Sequence, residues 1–153
     1  MHSVLIAFWR LRPISCAVKT AVGSTKVEST PMTPVDALYH RSRSRPDRIA
    51  FIYRDAMWTY LRLQSEAEHL ARALLTRGIR PGDPVLIHLE NAPEMLIAWF
   101  ACAYAGAIAV TTNARASAEE LAYFAGHSGA VAALTQPRFG NGACERHYHA
   151  RAA

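Results

Sequence analysis

The stretch VLIHLENAPEMLIAWFACAYAGAIAVTTNARASAEELAYFAGHSGAVAALT, residues 85–135, decides the fold. It opens on Val85-Leu86-Ile87, a run too uniformly apolar for a strand with one wet face, so burial on both faces is expected. Asn91 stands where a helix cap belongs, ahead of a helix from about Pro93 to Ala105, with proline at its first position. Gly106 ends that helix, and Ala107–Thr111 returns as a strand. Ser117-Ala118-Glu119-Glu120 reads as a capping box for a helix running to His127. Gly129 breaks it, and Ala130–Thr135 is a last strand. Strand, helix, strand, helix, strand with short connections amounts to two successive βαβ units. The fold class is therefore α/β, with helices packed on a parallel sheet.

Upstream, Thr33-Pro34 opens a helix through Val35, Leu38 and Tyr39 toward Arg43, and Arg45-Pro46-Asp47 ends it. Ile49–Tyr53 reads as a strand, Asp55-Ala56 as a turn, and Met57–Tyr60 as a short antiparallel return. Thr59 is placed to cap a helix whose apolar residues Leu63, Ala67, Leu70 and Leu74 share one face, and Gly78 stops it.

The chain has 153 residues, 51% hydrophobic and 19% charged, the composition of one globular domain rather than of a disordered chain. Its net charge of +5 is concentrated at the ends. Residues 31–137 carry ten arginines against ten acidic residues, so the middle has no basic footprint for nucleic acid. Both lysines, Lys19 and Lys26, fall in the first 30 residues. With that shift and the Ser/Thr cluster at 24–33, residues 1–30 are expected to be a separate, disordered extension. The domain is expected over 31–137, and 138–153, which lacks an apolar period, is expected to be a tail. Three cysteines without CxxC or zinc spacing point to free thiols in a cytoplasmic protein. Val4–Trp9 is too short for the apolar core of a signal peptide. Met95–Thr112 is uncharged over eighteen residues, but its change of character at Gly106 fits a buried helix and strand better than a membrane span.

Few residues stand out for chemistry. No Gly-x-Gly-x-x-Gly follows a strand, and no glycine-rich loop ends in lysine. Cys144, His147 and His149 are metal-ligand types within six residues, yet they lack a fourth ligand and an ordering pattern. Arg41, Arg43 and Arg45 alternate with serines as in RNA-binding tracts, but cations suit the last turn of a helix. His88, between apolar neighbours, reads as a hydrogen-bonded core residue, and Cys102 as a small core residue. No catalytic, cofactor-binding or metal-binding residue is assigned.

The order of segments nonetheless has a counterpart. Arg45-Pro46-Asp47-Arg48-Ile49-Ala50, Trp58-Thr59-Tyr60 and Leu70-Ala71-Arg72-Ala73-Leu74 resemble the opening of the adenylate-forming (AMP-binding) ligase superfamily. Gly78-Ile79-Arg80-Pro81-Gly82-Asp83-Pro84-Val85, Asn91-Ala92-Pro93-Glu94, Ala105-Gly106-Ala107-Ile108-Ala109-Val110 and Glu119-Glu120-Leu121-Ala122-Tyr123 continue it in order. Ala109-Val110-Thr111-Thr112-Asn113 and His127-Ser128-Gly129-Ala130 look most like acyl-CoA synthetases. The resemblance implies part of a parallel-sheet N-terminal domain of that type, truncated. It also implies a two-step chemistry, tied to fatty acid metabolism, in which ATP and a carboxylate give an acyl-adenylate and coenzyme A displaces AMP.

ATP, magnesium and coenzyme A are thus implied for the full-length family. The family's phosphate loop, magnesium-associated glutamate, ribose-binding aspartate and C-terminal lysine all lie beyond the matched region, so no family functional residue maps onto this chain. The abrupt change after Arg138-Phe139 looks like a shifted frame or an early stop. The expectation is a ligase fragment inactive alone, with a complementary ligase chain or self-association as its partner. The rivals are part of a split enzyme completed by another chain and a non-catalytic interaction module that reuses the scaffold.

Overall fold

A computed structural model describes residues 32–136, together with the backbone of residues 5–8. In chain order the elements are β1 (Leu5–Phe8), α1 (Pro34–Ser44), β2 (Ile49–Tyr53), β3 (Ala56–Thr59) and α2 (Tyr60–Thr76). They continue with β4 (Pro84–His88), α3 (Pro93–Ala105), β5 (Ile108–Thr111), α4 (Ala118–Ser128) and β6 (Ala132–Thr135).

The main sheet has the order β1-β6-β4-β5, and β4 pairs in parallel with both β5 and β6. This is the parallel core expected from residues 85–135. The strand ending at Thr135 does not present a bare edge, because β1 pairs with it antiparallel, Leu5 opposite Thr135 and Phe8 opposite Ala132. A short apolar stretch within the first thirty residues satisfies backbone groups that β6 would otherwise leave open. Residues 1–4 and 9–31, and the tail from 137 onward, lie outside the described residues.

β2 and β3 form a separate hairpin turned at Arg54-Asp55, one residue earlier than the sequence suggests, with Arg54 at φ 52°. Phe51 and Trp58 stack across it at 5.6 Å, and the Arg62 guanidinium lies 3.8 Å from the Trp58 ring centre. Thr59 ends the hairpin and caps α2, its hydroxyl accepting from the Arg62 amide.

Strand alternation divides the core between two faces of β4. Val85, Ile87 and Leu89 join Leu74, Cys102 and Leu134 on the face covered by α2 and α3. Leu86 points the other way, toward Leu121, Ala130 and Ala133 beneath α4. Small residues on α3 (Ala98, Ala101 and Ala105) are all buried and let it approach α2 and the sheet closely. Each fully buried Leu, Ile or Val contributes roughly 1.5–3 kcal/mol by leaving water.

Helix ends follow the sequence with one exception. Thr33 and Ser117 both form capping boxes, with Asp36 and Glu120 respectively. Asn91 does not cap α3: Ala92 occupies the cap position, with no side-chain bond. At the other end of α3, Gly106 takes φ 70° while the Ala107 amide reaches back to the Cys102 carbonyl at 2.8 Å. The helix–glycine–strand reading of Met95–Thr112 therefore holds, and no helix among the described residues is long and apolar enough to cross a membrane.

Candidate functional site at the carboxyl rim of the sheet

β4 is the point where the connections change direction. From it α3 leads to β5 on one side, and from β5 α4 crosses β4 to reach β6 on the other. In open α/β sheets ligands bind outside the carboxyl ends of the strands at such a switch. Each of the three parallel strands turns polar there: His88 at the end of β4 and Glu90 beyond it, Thr112 and Asn113 after β5, Thr135 and Gln136 at the end of β6.

The rim is tied together by hydrogen bonds. The Thr112 amide and hydroxyl both donate to the Ile87 carbonyl, at 3.0 and 3.2 Å, and His88 Nδ1 lies 3.1 Å from Thr112 Oγ1. The Glu90 amide donates to Gln136 Oε1 at 3.1 Å, which joins β4 to β6. The Asn113 side chain accepts from the Arg115 amide at 2.9 Å and shapes the loop that leads into α4. His88 is 2% exposed, and burial pulls its pKa below the ordinary imidazole value, against a hydrogen bond with the Asn113 backbone that favours the cation. A buried, neutral imidazole bonded across two strand ends fixes their spacing. This is the hydrogen-bonded, buried role read from its apolar neighbours.

The remaining sequence candidates do not converge on this rim. Cys102 is fully buried on α3, and burial pushes its thiol up to about 11, which removes the thiolate a nucleophile would need. Arg41 and Arg43 occupy the last turn of α1, where Arg43 donates to the Tyr39 hydroxyl at 3.0 Å. Cys144, His147 and His149 lie outside the described residues. Tyr104 faces α1 and α2; burial is the main cause that raises its phenol to about 12.

Among the described residues no group of three or more His, Cys, Asp or Glu is placed to hold a metal ion. The charged side chains at the rim are Glu90 and Arg115, both exposed. The polar residues Thr112, Asn113 and Gln136 were missed in the sequence. Their signal was a polar residue closing each apolar run, but only the sheet order shows that the three closings adjoin.

The AMP-binding enzyme family matches residues 38–152, which reaches past residue 137, where the resemblance read from the residues stopped. The chain is 38% identical over 105 residues to triostin synthetase I of Streptomyces triostinicus, covering 69% of this chain and 20% of that protein. It is 42% identical over 82 residues to the crotonobetaine/carnitine–CoA ligase of Escherichia coli K12, covering 54% of this chain and 16% of that protein. The N-terminal subdomain of Klebsiella oxytoca NpsA in complex with 3-hydroxybenzoyl-AMSN superposes with a TM-score of 0.60 at 29% identity. That match covers 63% of this chain and 25% of the other. The Bacillus subtilis O-succinylbenzoate coenzyme A synthetase (MenE), in complex with AMP, gives 0.58 at 34% identity, covering 61% and 24%. The chain thus spans 16–20% of the length of these curated relatives. By this match and the shared fold, the chain belongs to the AMP-binding enzyme family of adenylate-forming ligases, of which it carries part of the N-terminal domain.

Proposed function

We propose that the chain supplies the N-terminal scaffold of an ATP-dependent carboxylate–CoA ligase, and that these 153 residues alone do not form an acyl-adenylate. The observation that carries this reading is the rim itself. It has the family's strand arrangement, yet it offers one arginine, Arg115, and no lysine, since none follows Lys26. Adenylation moves negative charge onto the α-phosphate and the departing pyrophosphate, and that charge has to be met by preorganised cations and donors. On this reading ATP, magnesium, coenzyme A and the fatty or other acyl acid are held mainly by polypeptide beyond these residues. The rim then forms one rigid wall of the site. A cytoplasmic setting belongs to the same proposal, on the sequence's three cysteines without CxxC or zinc spacing.

The test is carboxylate-dependent exchange of labelled pyrophosphate into ATP. The purified chain is assayed with a panel of fatty, aromatic and amino acids, alone and mixed with the C-terminal remainder of a full-length family member. No exchange by the chain alone is expected. Exchange above a protein-free blank, by the chain alone, overturns the reading. Exchange only in the mixture identifies a ligase completed by a second chain.

A further inference from the structure

β1 differs from the rest of the main sheet in three respects. It is antiparallel to its neighbour, whereas the other two ladders are parallel. It comes from residues 5–8, ahead of the 38–152 that match the family. Among the described elements its extensive contacts are with β6 alone, so one ladder holds it in place.

Beside it in the sheet, Ala132-Ala133-Leu134-Thr135 is buried along its whole length and carries no charge or proline to blunt an edge. We propose that Leu5–Phe8 is a strap over the β6 edge, and that when it lifts, the bared edge pairs with β6 of a second copy of this chain.

The second copy is favoured by geometry and charge. The seat accepts an antiparallel partner of four uncharged residues, as β1 is. A second β6 meets that description, and antiparallel is the orientation a two-fold axis imposes on two identical strands. No like charges would face each other across such a pair, and the balanced charge of residues 31–137 adds little repulsion between copies. Because β1 belongs to the same polypeptide, it competes for the edge intramolecularly and holds the chain monomeric while seated.

Two variants test this in the full chain. Ile6→Pro/Ala7→Pro removes consecutive backbone donors, so that one of them falls on the ladder side whatever the alternation. Sedimentation velocity over a concentration series should show association at a concentration roughly tenfold or more below that of the parent. An unchanged association midpoint overturns the proposal.

The second variant is Ala7→Cys/Ala133→Cys, with Cys16 and Cys144 replaced by serine. These two positions are direct partners in the ladder. Directly opposed antiparallel residues, about 4.5–5.5 Å apart, lie within reach of a disulfide. Oxidation should give an intrachain bond that suppresses association until it is reduced, whereas the offset pair Leu5→Cys/Ala133→Cys should close poorly. Equal closure by the offset pair, or a locked chain that associates as strongly as the proline variant, overturns the proposal.

Discussion

The contact between Gly106 and Pro81 makes a quantitative prediction, because the fold provides its own control. Gly106 and Gly129 end α3 and α4 in the same left-handed conformation, at φ 70° and 67°. An added Cβ at Gly129 meets nothing within 4 Å, whereas at Gly106 it meets Pro81 Cβ at 3.2 Å. Gly129→Ala therefore isolates the conformational cost. The left-handed region costs a non-glycine residue about 1–2 kcal/mol, offset by about 0.4–1 kcal/mol from the stiffer unfolded chain. The net is about 1 kcal/mol.

Gly106→Ala adds the collision. Pro81 is a rigid ring, and its loop is pinned where the Gly82 amide donates to the Gly106 carbonyl at 2.8 Å, so it has little room to retreat. Overpacking of this kind costs about 1–3 kcal/mol, which gives about 2–4 kcal/mol in all. Urea unfolding with an unchanged slope reads both differences. Each kcal/mol corresponds to about 2–4 °C in Tm for a chain of 153 residues. Pro81→Gly, which removes the colliding Cβ as Pro81→Ala would not, should recover part of the loss at Gly106 and none at Gly129. If Gly106→Ala costs no more than Gly129→Ala, the contact does not constrain the turn and the reasoning fails.

Two further outcomes follow from the buried titratable groups. His88 has its folded pKa lowered chiefly by burial, so the unfolded chain binds the proton more readily. The associated stability is present above the unfolded value near 6.5 and is lost as pH falls below it. Chemical denaturation from pH 7.5 to 5.5 should show this decline in the parent and a smaller one in His88→Gln; equal declines would assign it to other groups. Cys102, its thiol raised to about 11 by burial, should resist a maleimide at pH 8 in the folded Cys16→Ser/Cys144→Ser variant and react once urea is added. Prompt labelling without denaturant would show that α3 opens readily.

Much of this fold is written locally. Val85-Leu86-Ile87, the Ser117–Glu120 capping box and the glycines at 106 and 129 each act on their own neighbours within one or two helical turns, so element type and order are legible in residues 85–135 alone. Local rules also misplaced the α3 cap. Asn91 has the right chemistry, but the chain leaves β4 in a conformation that puts Ala92 at the helix start.

Register and adjacency are different in kind. That Leu5–Phe8 shields Ala132–Thr135 across more than a hundred residues of sequence is a pairing no local pattern encodes, since a short apolar run is equally consistent with several fates. The carboxyl rim is likewise a product of sheet order. His88, Thr112 and Gln136 are ordinary polar residues that meet only because β4 lies between β5 and β6. Between Thr33 and Thr135 the sequence determined which strands and helices exist. The tertiary structure decided which strand ends share a surface, because backbone hydrogen bonds between strands join residues by position in space rather than by separation along the chain.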